Sequence, residues 1–196
     1  GSSRAVDDFY DGTVAAACGG TTSIVDHMAF GPADCGLHHQ LAEYHRLADG
    51  KAVIDYGFHG VAQHVNLGIL DELEAMAEVP SIKVYLTYDF RLNDAEAFQI
   101  LKRMKELGGV TAFHCENHDI VEYCRRTCVE TGHTGPIYHA KSRPNLAESE
   151  AVARVLSLAR LAGDAPVYIV HLSCKESLEA VRDARRKGQK NIFVET

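Results

Sequence analysis

"GGVTAFHCENHD" occupies residues 108–119 and holds the repeating unit from which the fold is assembled. A glycine pair, able to take the left-handed backbone that ends a helix, precedes a short run of apolar and β-branched residues. The run closes on His114 and Cys115, and Glu116, Asn117, His118 and Asp119 crowd behind it where the next amphipathic stretch begins. Helix stop, buried strand, polar end and helix start follow in that order. This is a β–α unit, and its polar end carries an unusual number of side chains able to bind metals or move protons.

The same grammar extends in both directions. Strands are expected at 21–27, 51–60, 81–89, 110–117, 166–174 and 191–196, each short, β-branched or aromatic and nearly continuous in apolar character, as strands covered on both faces should be. Between them, helical periodicity marks 7–20, 36–50, 66–79, 93–109, 118–132, 148–164 and 175–188, several opening on Asn or Asp and closing on Gly. Alternating strands and helices imply right-handed crossovers and a parallel sheet. The segment 133–147, "HTGPIYHAKSRPNLA", breaks the rhythm and is expected to be a long loop, a place where compact domains often keep function. No repeat and no domain boundary is visible, so residues 1–196 are read as one domain.

Composition limits the function classes. The 196 residues are 46% hydrophobic and 24% charged, enough for one sizeable core, and the net charge of -7 opposes a nucleic-acid surface. No apolar run reaches the ~20 residues of a membrane helix and no leader opens the chain, so a cytoplasmic, membrane-free protein is expected. The six cysteines form no CxxC pair, which suits reduced thiols; Cys124 and Cys128 stand four apart without a second pair to complete a tetrahedral metal site.

At the C-terminal ends of the expected strands stand His27, His59, Lys83 with Tyr88, His114, His171, and Glu195 with Thr196. In parallel α/β folds this edge binds ligands, and in a closed barrel catalytic groups converge there. Any one of these histidines has an ordinary packing role open to it; together they favour a metal site. Lys83 stands between Ile82 and Val84 in a strand expected to be buried. A buried ammonium loses its proton more readily, and a neutral amine adds carbon dioxide to give a carbamate, an anionic ligand able to bridge two cations. A lysine near the strand start that snorkels to water is the other reading.

The ordered blocks "DDFYDGTVAAACGGTTSIVDH", "KAVIDYGFH", "SIKVYLTY", "FHCENHD", "TGPIYHAKSRP" and "VYIVHLSC" resemble the dihydropyrimidinase and D-hydantoinase branch of the amidohydrolase superfamily over essentially the whole chain. The resemblance implies a (β/α)8 barrel with an added β-sandwich, and hydrolytic opening of cyclic amides such as dihydrouracil or 5-substituted hydantoins. It implies two divalent metals, usually zinc, bridged by a carboxylated lysine and a hydroxide. Carried over by motif, Lys83 is that lysine, His114 and His171 ligate the second metal, and Tyr88 stabilises the oxyanion. A small cyclic amide is then the substrate and a homo-oligomer the expected assembly. Tyr88 as a plain rim aromatic is the alternative.

The departures are equally specific. The family's His-x-His pair occurs nowhere in the sequence, since His38 and His39 are adjacent, and its later aspartate ligand would lie beyond Thr196. The chain is therefore expected to match strands two to seven of the barrel, as a segment of a longer enzyme that is itself inactive. An open sheet of this kind would leave two apolar edges. The absent pair also keeps open a second class, the non-catalytic dihydropyrimidinase-related scaffold proteins, against which Lys83, His114 and His171 argue. "YDF" (88–90) replaces the lysine-glycine pair that commonly follows the tyrosine, so dihydropyrimidine and hydantoin rings stay equally open. His27, His59, His118, Cys115 and Cys174 are given no role beyond support or packing, and Arg143 is expected to anchor the long loop with no partner identified.

Overall fold

The computed structural model describes residues 6–28, 32, 35–63, 67–76 and 79–196. Their contacts gather into two compact units, one of Gly1–Val61 with Leu67–Ser81, the other of Ala62–Asn66 with Ile82–Thr196.

In the first unit, α1 (Phe9–Cys18) starts at Asp8, whose carboxylate accepts the amides of Tyr10 at 2.9 Å and Asp11 at 3.2 Å. That satisfies two of the donors every helix start leaves open. Strands β1 (Ser23–His27) and β2 (Asp55–Val61) pair in parallel, with His27 opposite His59. Helix α2 (Leu37–Ala48) buries Leu37, Leu41 and Ala48. Its first amide is held by Glu72 of α3 (Leu67–Ala75) at 2.7 Å, a carboxylate that comes so near Gly36 that a Cβ there would collide with it. The rings of Phe9, Tyr44, Tyr56 and Phe58 meet in tilted and edge-on pairs 5.4 to 6.2 Å apart, the geometry favoured by the aromatic quadrupole.

The second unit carries β3 (Ser81–Tyr85) from Ile82 onward, then α4 (Asp94–Glu106), β4 (Val110–His114), α5 (His118–Glu130), α6 (Ile137–Lys141), α7 (Asn145–Leu161), β5 (Val167–Ile169), α8 (Lys175–Arg186) and β6 (Ile192–Val194). Strands β3, β4, β5 and β6 lie side by side in that order; β5 is parallel to both neighbours, with Phe113 opposite Ile169 and Ile169 opposite Val194. Helix α4 opens with a reciprocal cap between Asn93 and Glu96 and buries Ala97, Ile100, Leu101 and Met104. Helix α7 buries Ala151, Val152, Val155 and Ala159 completely. Phe113, Ile82, Val84, Val167 and Ile169 complete a core in which truncating Phe113 to alanine should cost about 3–5 kcal/mol.

The α/β class with parallel strands is as the sequence predicts, and every expected strand and helix is present, the helix expected over 66–79 being α3, with 66, 77 and 78 outside the described residues. Three local differences matter. The strands expected to reach residues 89 and 174 stop at Tyr85 and Ile169, because Tyr88 and His171 take left-handed backbones, φ 74° and 39°, that no strand can contain. The interval 133–147 is not a structureless loop: it holds α6 and the start of α7. Strand β1 is mostly exposed, Val25 by 52%, rather than covered on both faces; among the described residues it has a strand neighbour on one side only.

All six cysteines are free, and among the described residues no helix is long and apolar enough to cross a membrane.

Candidate functional site

Lys83, Tyr88, His114 and His171 all belong to the second unit. Strand alternation places Lys83 on the face opposite Ile82 and Val84 and on the same face as Tyr85, whose ring centroid lies 5.1 Å from Nζ. Lys83 is only 3% exposed, so its amine does not reach water as a snorkelling lysine would. Burial lowers its pKa from 10.5 to about 8, against a weaker opposing pull from Cys115 and Glu195. No ion pair to Lys83 exists among the described residues. A tenth or so of the amine is therefore neutral near pH 7, which is the reactive form toward carbon dioxide.

His114 ends β4. Its ring stacks on Tyr85 at 5.8 Å and meets the His171 ring edge-on, centroids 4.6 Å apart and planes at 72°. Nε2 of His114 lies 2.7 Å from Oε2 of Glu116, which leaves Nδ1 as the nitrogen available to a ligand. The same oxygen of Glu116 accepts from Nη1 of Arg143. Burial opposes ionisation of Glu116, but the bonds from His114 and Arg143 outweigh it and hold the carboxyl below the usual range. An anionic acceptor at this point fixes both the plane and the tautomer of His114.

His171 follows β5 in a turn clamped on two sides. The Leu172 amide donates to Glu195 O at 2.7 Å, while Glu148 accepts the amides of Ser173 at 3.0 Å and Cys174 at 3.3 Å. A left-handed non-glycine residue costs about 1–3 kcal/mol, and such a clamp is what keeps it there. Burial, then the charge of His114, lowers the His171 pKa, with Lys83 adding in the same sense, so its imidazole is neutral and able to ligate at neutral pH.

Tyr88 stands in the turn after β3, 37% exposed, its ring 5.3 Å from His114 and 5.5 Å from Phe90. Its carbonyl is taken by Arg91, through the backbone amide at 3.3 Å and Nη1 at 3.0 Å, and Leu92 N closes the turn on Tyr85 O at 2.9 Å. The phenol is thus a rim group facing the His114 ring, with a rigid backbone beneath it.

The other strand-end residues divide differently. Cys115 is fully buried and its thiol is pushed far up by burial, so it packs and does not react. Cys174 Sγ contacts Ser177 Oγ at 3.0 Å, Glu195 accepts the Tyr168 hydroxyl at 2.7 Å, and Nδ1 of His118 is 3.4 Å from the Thr87 hydroxyl. His27 and His59 are in the first unit, where their rings are tilted against each other with centroids 4.9 Å apart and Nδ1 of His59 meets the Ser81 hydroxyl. The sequence shows Glu116 among the polar side chains at the strand end but assigns it no role, gives none to Glu148, and leaves Arg143 without a partner. The signal for Glu116 was present, two residues beyond a strand-end histidine; the signal for Arg143 was not, because its partner is 27 positions away.

Among the described residues no cluster of three or more His, Cys, Asp and Glu side chains forms a metal cage. What the structure does bring together is two imidazoles 4.6 Å apart and a buried lysine amine that shares the Tyr85 ring with one of them.

No protein-family model matches the chain. It is 52% identical over 198 residues of alignment to a D-phenylhydantoinase of Escherichia coli O9:H4 (strain HS), an alignment that takes in 100% of this chain and 43% of that protein. A D-hydantoinase from a Bacillus sp. AR9 is 41% identical and superposes with a TM-score of 0.94 over 100% of this chain and 44% of its own. A dihydropyrimidinase from Brevibacillus agri NCHU1002 is 42% identical, with a TM-score of 0.92 over 97% of this chain and 42% of its own. The chain thus spans under half the length of the relatives it matches. Structures of this kind are TIM-barrel amidohydrolases, and the parallel α/β fold seen here corresponds to part of that barrel.

Proposed function

Because the chain belongs to the dihydropyrimidinase and D-hydantoinase family, we propose that the protein containing it hydrolyses the ring amide of a small cyclic amide, a dihydropyrimidine or a 5-substituted hydantoin. The observation that carries this reading is that one ring, Tyr85, lies against both the buried Lys83 amine, at 5.1 Å, and His114, at 5.8 Å, with His171 edge-on to His114 and Tyr88 at the rim. An inert scaffold has no need to keep an amine in apolar surroundings at a cost of several kcal/mol.

In this reading Lys83, as its carbamate, with His114 and His171, would hold divalent cations, with zinc the best match to imidazole donors. When bound, such ions supply Lewis acidity toward the ring carbonyl and make water nucleophilic at neutral pH. The chain's own residues do the rest. Glu116 keeps the proton of His114 on Nε2, so that Nδ1 stays a lone-pair donor. The neutral state of His171 serves the same end. Tyr88 donates its hydroxyl proton as a hydrogen bond to the carbonyl oxygen as negative charge develops there, and its braced backbone removes the need to reorganise at that moment. The ring of Phe90 beside Tyr88 gives the rim an apolar side suited to a substrate's exocyclic group.

The test is ring opening of dihydrouracil and of 5-phenylhydantoin by the full-length protein loaded with zinc, followed as N-carbamoyl product. Product that disappears on chelation and returns with metal supports the reading. Failure of the metal-loaded protein to open either ring rejects it and leaves the scaffold reading in its place.

A further inference from the structure

We propose that Arg143 is a positioning residue of this site, tying the ring of Tyr88 to the ring of His114 through Glu116; the inference rests on the function proposed above. Four side chains close a loop. Arg143 Nη1 donates to Oε2 of Glu116, that same oxygen is 2.7 Å from His114 Nε2, the His114 ring is 5.3 Å from Tyr88, and the Tyr88 ring is 5.7 Å from the Arg143 guanidinium carbon. One planar cation thus serves two partners: Nη1 donates to the carboxylate, and the guanidinium carbon lies over the phenol ring. Only a guanidinium does both, since an ammonium has neither the fork nor the plane.

The arginine is itself rigidly mounted. Its amide donates to Ala140 O at 3.1 Å, and Ser142, 4% exposed, bonds His139 O through its hydroxyl at 2.9 Å. Just beyond Pro144, Asn117 N donates to Ala147 O at 2.9 Å and Asn117 Nδ2 to Glu150 at 2.7 Å, which locks the segment carrying Glu116 to the start of α7. Arg143 Nε is buried and has no hydrogen-bond partner among the described residues. A side chain selected only for stability would not leave a buried donor unpaired, because the desolvation cost is uncompensated. Its place is explained by what it orients.

The experiment compares Arg143→Met and Arg143→Lys in the full-length protein. Arg143→Met should lower kcat about 10–100-fold with KM nearly unchanged, and Arg143→Lys should recover only part of the loss. Added to Tyr88→Phe, Arg143→Met should cost far less than it does alone, because both act at one phenol. An activity-independent arm records ring nitrogen signals of 15N-labelled histidine in metal-free protein: the His114 signal should move in Arg143→Met and in Glu116→Gln, and stay in Lys141→Met. A wild-type kcat in Arg143→Met, full additivity with Tyr88→Phe, or an unmoved His114 signal overturns the proposal. Should the wild-type protein open no ring, the proposed function fails, while the histidine signals still decide the role of Arg143.

Discussion

The molecule contains two pairs of strand-end histidines, and they are nearly alike by spacing. His27 and His59 sit opposite each other in register with ring centroids 4.9 Å apart; His114 and His171 are 4.6 Å apart. What surrounds them differs. At the first pair the Asp26 carboxylate accepts the amide of its neighbour His27 at 2.8 Å, Nδ1 of His59 meets the Ser81 hydroxyl, and the rings are tilted by 35°. Around the second stand Glu116, Arg143, a buried lysine, two tyrosines and a left-handed backbone held by its own carboxylate clamp. Parallel register alone brings histidines together; an expenditure of buried charge and backbone strain is what distinguishes a site from a coincidence.

The contrast breaks most directly under substitution. In the full-length protein, Lys83→Met or His114→Asn should reduce ring opening by about 10²–10³-fold or more, whereas His59→Asn should cost less than about tenfold. Product formation under saturating substrate measures both, and a His59 effect as large as that of His114 would erase the distinction.

Lys83 offers a second, purely thermodynamic reading. Its pKa is about 8 in the folded chain against 10.5 as the ordinary value, so between those limits the unfolded state binds the extra proton and folding stability rises with pH. The gain is up to about 3 kcal/mol across that window, and little of it is present below about pH 7, where both states are mostly protonated. Urea unfolding of protein freed of metal and bicarbonate, at pH 7.5 and 10, should show the rise in wild type and its loss in Lys83→Met. No corresponding dependence should follow from His59→Asn over that range.

How far the sequence foretold this contrast can be argued residue by residue. The β–α order was legible because buried strands and capped helices leave signatures within a few positions, as in Asn93 with Glu96. Lys83 was legible as an anomaly, a charge inside an apolar run, and burial of that amine is what the structure shows. Tyr88 and His171 were placed at strand ends, yet the turns that hold them were not foreseen, because apolar residues continue past the last strand hydrogen bond and positive φ has no marker in a non-glycine residue. The link from Arg143 to Glu116 was invisible, since a pair 27 residues apart leaves no periodic trace. Exposure of β1 was likewise hidden: an apolar run reports suitability for burial and not the presence of a cover.

A third substitution probes the acceptor on His114. Glu116→Gln keeps the shape and removes the charge, so its amide supports the Nε2 proton less firmly and Arg143 loses its counter-ion. Zinc affinity should fall about 10–100-fold, read by competition with a chromophoric chelator, while the protein stays folded by near-ultraviolet circular dichroism. An unchanged affinity would reduce Glu116 to a bystander and bring the second pair closer to the first.

The finest separation comes from two carboxylates with the same mechanical job in the two units. Asp8 caps α1 in the first unit, and Glu148 receives the amides of Ser173 and Cys174 in the second, the latter being the cap position of α8, which has no side-chain cap of its own. Either loss leaves backbone donors without an anionic acceptor, and each should lower stability by about 1 kcal/mol in Asp8→Ala and Glu148→Gln. The consequences then part. No residue of α1, Phe9–Cys18, takes a left-handed backbone, so metal retention should be unaffected. Glu148 holds the residues immediately after His171, whose φ of 39° relaxes when the clamp weakens, and retention after dialysis should drop severalfold. Equal loss of stability with unequal loss of metal would show that the clamp serves His171 and not merely the helix; equal retention would show that the strained backbone at His171 is held by Glu195 and the core alone.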